Sequence, residues 1–339
     1  MLIAWLAVAC GPRVGRIEAH DVSAPDGAVL HGPLRVALLG HLAQAPHALA
    51  SAVADYAPDL VVLNGDAVVR STVREWETLH RAVAPLSVSP LPGRGEVTAD
   101  RARRGFAAAW SGLGVSALDA PVTWRAFDID DGVLIWRVVV LDADRAALQE
   151  RWREQLFWVP KVVAGPDYDQ LIVLANRNLG TLQRGRADAD AALATLMDVV
   201  REHTAAGRLA LVVTGDAETP SAELPGGRWG EAWVSTGRPR SPTGTLLWER
   251  GTRALAPGLA DALVETFEGR AGGEEMPAFR AERRFPAQSA PVAGWWSLSL
   301  AGGACQLRLH LADGAGWKPV YGLGWTRALG WHAIGATPG

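Results

Sequence analysis

Residues 58–69 read PDLVVLNGDAVV. The apolar run from Leu60 to Leu63 has the length of a buried strand, and Asn64-Gly65-Asp66 stops it. A strand ending in Gly-Asp sets a carboxylate at the carboxyl edge of a sheet, the edge where α/β folds bind ligands. Asp66 is therefore the first candidate site residue. Working outward, the same kind of ending recurs. LRVALL (34–39) stops at Gly40-His41, and a strand over 86–91 leads into Pro92-Gly93-Arg94-Gly95-Glu96. A strand over 169–175 ends in Asn176, and one over 209–214 ends in Gly215-Asp216.

Between these strands the apolar spacing predicts helices over 45–57, 71–84, 99–110, 145–158 and 187–206, with Ser71-Thr72 as N-cap residues of the second. Strand runs over 122–129 and 133–141 flank Asp130-Asp131-Gly132, a hairpin signal, and a further strand is expected over 231–235. From about 244 the α/β rhythm stops. Residues 256–286 read as a connection with a short helix from Leu259 to Phe267. Segments 295–300 and 304–311 alternate around Ala301-Gly302-Gly303, which predicts a half-buried second hairpin.

The 339 residues suffice for one large α/β domain or two small ones, and 49% apolar with 20% charged residues is a globular composition. A net charge of -3 supplies no basic footprint, so nucleic acid is not an expected partner. Lys161 and Lys318 are the only lysines; arginine carries nearly all the positive charge. The chain has 15 tryptophans. Trp295, Trp296, Trp317, Trp325 and Trp331 are expected to pack a small sheet, or else to present a protein or carbohydrate surface. Two cysteines, Cys10 and Cys305, make neither a disulfide framework nor a metal cluster. His20, His31, His41 and His47 do not have zinc-site spacing, and no Gly-x-x-x-x-Gly-Lys-Ser/Thr phosphate loop occurs.

The ordered strand ends His41, Asp66, Arg94, Asn176 and Asp216 resemble the calcineurin-like metallophosphoesterase superfamily. LDAD (141–144) with EQLFWV (154–159), VVTGDAET (212–219) and VSTGRPRSP (234–242) resemble its framework as well. The resemblance implies an α/β fold, an αββα sandwich with a C-terminal β-hairpin extension, and a two-metal site at the strand ends. Its ordered signals are Gly-Asp-x-His, Gly-Asp, Gly-Asn-His-Asp/Glu, a His after a strand, and Gly-His-x-His. Here His41 and Ala43 stand for the Asp and His of the first signal. Gly65-Asp66 is intact, and Asp66 would bridge two metals. Arg94 and Gly95 replace the Asn and His of the third signal, while Glu96 keeps its acid. Asn176 replaces the fourth signal's His, and Asp216 and Glu218 replace the two of the fifth.

Such chemistry needs two cations ~3.5–4 Å apart on neutral imidazoles and carboxylates. Ala43 offers no donor atom, and Gly95 removes the general acid. Arg94 carries a permanent charge that repels a cation and pairs with carboxylates. The expectation is that Arg94 takes the place of a metal beside Asp66, Asp216 or Glu218, in a non-catalytic protein with no cofactor. The alternative is a divergent phosphoesterase with one divalent cation (Mn, Mg or Zn) on Asp66, Asp216 and Glu218.

The first residues, MLIAWLAVAC, resemble a bacterial lipoprotein signal with Cys10 as the lipidated residue; they are too short to span a bilayer. The expected organisation is a signal segment at 1–10, a tether at 11–33, a phosphoesterase-like domain at 34–243, and an extension at 244–339 that completes or packs on the outer sheet. The expected setting is the cell envelope, with a membrane contact through Cys10 and a protein or small-molecule partner that the residues do not name.

Overall fold

The computed structural model describes residues 20–21, 26–40, 53, 56–83, 86–93, 96, 104–111, 122–177, 191–215, 220–224, 227–236, 294–312 and 317–334, together with four two-residue strands between 253 and 275. Fourteen principal strands, introduced below, form two seven-stranded sheets.

The first sheet holds β2 (Leu34–Leu39), β3 (Leu60–Asn64) and β4 (Val88–Leu91), all parallel. It continues antiparallel through β11 (Gly294–Ala301), β12 (Ala304–Ala312), β13 (Trp317–Thr326) and β14 (Gly330–Ala333). Its order is β14-β13-β12-β11-β2-β3-β4, so the C-terminal strands join through β11 to β2. The second sheet has the order β9-β10-β8-β7-β6-β5-β1. Its members are β1 (Val29–His31), β5 (Arg125–Asp130), β6 (Ile135–Leu141), β7 (Gln170–Ala175), β8 (Leu209–Thr214), β9 (Pro220–Glu223) and β10 (Ala232–Thr236).

Period-two alternation sorts the side chains of each strand onto two buried faces. On β6, Trp136, Val138 and Val140 enter the layer between the sheets, while Val139 and Leu141 face outward. Leu298, Leu307, Leu323, Trp296, Trp325 and Trp331 fill the same inter-sheet layer from the C-terminal strands. The Trp136 and Trp325 rings meet edge to face across it, 5.4 Å apart. The outer face of the first sheet is covered by α1 (Val73–Val83) and α2 (Arg104–Ala109), through Trp76, Leu79, Val83 and Phe106. Short α3 (Arg145–Leu148) leads to α4 (Arg151–Val163) and α5 (Ala191–His203), which cover the outer face of the second. On α5, Leu193, Leu196, Met197 and Val200 recur at helical spacing, and all are fully buried. The layers are therefore α, β, β, α, the αββα sandwich that the resemblance implied.

Several elements differ from the sequence reading. Part of the stretch read as a tether is in the sheet: β1 pairs with β5, and Asp26 accepts the Ala126 N–H at 2.9 Å. The single helix expected over 145–158 is two, because Gln149 takes a positive φ of 51° between them. The second turn residue expected between β5 and β6 does more than turn the chain. Asp131 accepts N–H bonds from Val133, Leu134, the Trp136 indole and Gly303, so it ties this loop to the β11–β12 turn. Within the helix expected over 259–267, Leu263–Val264 pairs instead with Arg253–Ala254 as a short antiparallel ladder. Beyond the expected C-terminal hairpin lies a second one, β13 and β14. The glycines of GLGW lowered its apolar alternation in the sequence.

Candidate functional site

The parallel strands of both sheets end on one edge, and glycines let their loops interlock there. Gly65 has φ 91°, and an added methyl group would press on Gly93 at 3.0 Å. A side chain at Gly93 would collide with Asp66, one at Gly215 with the Asn64 carbonyl, and one at Gly40 with Thr236. Gly215 follows β8 of one sheet and Asn64 ends β3 of the other, so the two sheets touch through backbone at this edge. Asp66 itself sits half-buried at φ 51°, a left-handed conformation that Asp tolerates better than most residues.

Glu96 lies beneath this loop, 1% exposed. Its Oε1 accepts the Val68 N–H at 2.8 Å, and its Oε2 accepts the Gly93 N–H at 2.5 Å. Burial pushes its pKa up to about 8, and the nearby Asp66 charge adds to the rise, against the lowering effect of the N–H donors. The side chain is thus spent on the loops after β3 and β4.

Asn176 is fully buried where β7 ends. Its Oδ1 accepts the Ala143 N–H at 2.8 Å, and its Nδ2 donates to the Pro92 carbonyl at 2.7 Å and to Asp142 Oδ1 at 3.0 Å. The Asp142 carboxylate also accepts the Thr123 hydroxyl and the Asp144 N–H. Gln155 on α4 closes the ring: its Oε1 accepts the Asp142 N–H and its Nε2 donates to the Asp142 carbonyl, both at 2.9 Å. The LDAD and EQLFWV pieces of sequence meet through these bonds.

Below lies a residue with no signal in the sequence. Arg125 is 2% exposed, and its guanidinium donates to the Thr123 and Pro90 carbonyls and to the Ser89 hydroxyl. Burial lowers its pKa to about 9, opposed by the charge of Asp26. Thr123 links the two buried groups: its carbonyl accepts from Arg125 and its hydroxyl donates to Asp142. Asn64, also fully buried, has neither amide atom paired.

A two-metal centre needs several carboxylates and imidazoles converging on one point. Among the described residues no three His, Cys, Asp or Glu are so placed. The Glu96 carboxyl is engaged with backbone, and the Asn176 amide with backbone and the Asp142 carboxylate. This described donor set does not fit two cations. His41, Arg94, Asp216, Glu218 and Cys10 lie outside the described residues, and so does the expected pairing of Arg94 with Asp66.

The layered αββα fold is similar to that of a solved phosphatase. A solved dimetal phosphatase from Danio rerio superposes with a TM-score of 0.50 at 10% identity, covering 81% of this chain and 95% of that one. A hypothetical protein from Thermus thermophilus matches at TM-score 0.43 and 15% identity, over 83% of this chain and 99% of its own. Vacuolar Protein Sorting 29 from Cryptosporidium parvum matches at 0.36 and 11%, over 87% and 100%. No family model and no curated protein matches the sequence.

Proposed function

We propose that this chain is a metallophosphoesterase-fold protein that binds or braces rather than hydrolyses, held at the cell envelope through Cys10. The observation that carries the reading is the engagement of Asn176. At a position where the fold's catalytic motif has a His, its amide makes three internal hydrogen bonds and is closed to solvent. The test is calorimetric titration of the folded protein with Mn2+ or Zn2+, beside an assay with an aryl phosphate mono- or diester. No saturable two-site binding and no turnover are expected. Tight binding at two sites would overturn the reading.

A second reading has a specific support, the half-buried Asp66 at the strand-end edge. There one divalent cation sits on Asp66, Asp216 and Glu218 and assists phosphoester hydrolysis. Under it, Mn2+ gives turnover that Asp66→Asn abolishes. The envelope anchor has its own check: Cys10→Ser moves the protein from the membrane to the soluble fraction of the expressing cells.

A further inference from the structure

We propose that Glu96 and Asn176 form a metal-free clamp that holds the strand-end loops of the two sheets together. The proposal rests on the reading of this edge as one without two metals. In a dimetal centre the cations tie ligands from separate strand ends into one rigid set. Here buried hydrogen bonds make the ties. Glu96 joins the loop after β3 to the loop after β4, through the Val68 and Gly93 N–H groups. Asn176 joins the loop after β4 to the loop after β6, through the Pro92 carbonyl on one side and Ala143 and Asp142 on the other. Pro92 and Gly93 are consecutive, so the two ties meet on one loop: Glu96 braces it from within, against the loop after β3, and Asn176 holds it from the second sheet. Arg125 adds a third grip on that strand, at Ser89 and Pro90. A Pro at 90 and at 92 removes two N–H donors from this edge strand, and the carbonyls that remain are the groups the second sheet holds. Whatever the edge binds meets a surface set in advance, with no cation required to order it.

Thermal unfolding and amide hydrogen exchange of the full chain test this. Wild-type protein is expected to melt at the same temperature with EDTA, Mn2+ or Zn2+. Glu96→Gln can replace one acceptor oxygen but not both, and Asn176→Ala removes the whole amide. Each is expected to lower the melting temperature by on the order of 5 °C. Exchange should quicken about tenfold or more at Val68 or Gly93 in the first variant and at Ala143 in the second, while Gly303, held by Asp131 at the other end, stays unchanged. If Asn176→Ala does not fold, Asn176→Ser carries the exchange measurement. Unchanged exchange at the clamped amides would overturn the clamp and leave the metal-free reading standing. A rise of the wild-type melting temperature with Mn2+ or Zn2+ would overturn that underlying reading instead.

Discussion

Two buried titratable residues make opposite demands on pH. Glu96 has its folded pKa raised from 4.5 to about 8, so the unfolded chain ionises first and stability falls as pH rises between those values. His310 is stacked on Trp295 with ring centroids 4.1 Å apart and hydrogen-bonded through Nε2 to Ser297. Burial, with the charge of Arg308, lowers its pKa from 6.5 to about 4. Protonation then favours the unfolded chain, and stability falls as pH drops from 6.5 towards 4. The two slopes oppose each other in mildly acid solution. From 6.5 to about 8 Glu96 is unopposed by His310, and the unfolding free energy from urea titrations should decline with a slope of up to about 1.4 kcal/mol per pH unit. Glu96→Gln should flatten that slope. His310→Gln should instead flatten the acid side.

At the scale of elements, the start of α1 is a capping box. Thr72 Oγ1 accepts the Glu75 N–H at 3.3 Å, and the Glu75 carboxylate returns to the Thr72 N–H at 3.0 Å. Thr72→Ala should cost about 1 kcal/mol in urea unfolding. The end of α4 is capped from outside: Arg137 donates to the Val162 carbonyl, Tyr168 to Val163 and Arg208 to Gly165, with both cations against the Tyr168 ring. Gly215→Ala sets a methyl group against the Asn64 carbonyl of the opposite sheet, where neither backbone can give. It is expected to destabilise by several times the cost of Thr72→Ala, read in the same experiment. The Thr72 cap was visible in the sequence because a capping box is local. The α4 cap was not, since its donors come from β6 and from the residues just before β7 and β8.

At the scale of the molecule, β11 lies beside β2, and the C-terminal strands make more than half of the first sheet. Removing 294–339 would bare the inter-sheet faces of Trp136, Val138 and Phe127 and leave β2 an open edge. The truncated chain is expected to be insoluble, or to lose its cooperative melt by circular dichroism.

The sequence alone determined the α/β alternation, the strand ends and the glycines that follow them, because each depends on near neighbours: an apolar run, a stop, a residue without a Cβ. It also marked Asp66, Glu96 and Asn176 as positions of interest by their order along the chain. Only the tertiary structure decided what the last two do. Whether an amide faces a metal or a backbone carbonyl is set by partners far away in sequence, and the Pro92 carbonyl reached by Asn176 is 84 residues distant. Arg125 shows the same limit. An arginine at the start of a strand looks solvated until a second sheet closes over it, and the cost of burial then favours hydrogen bonds from its two terminal nitrogens.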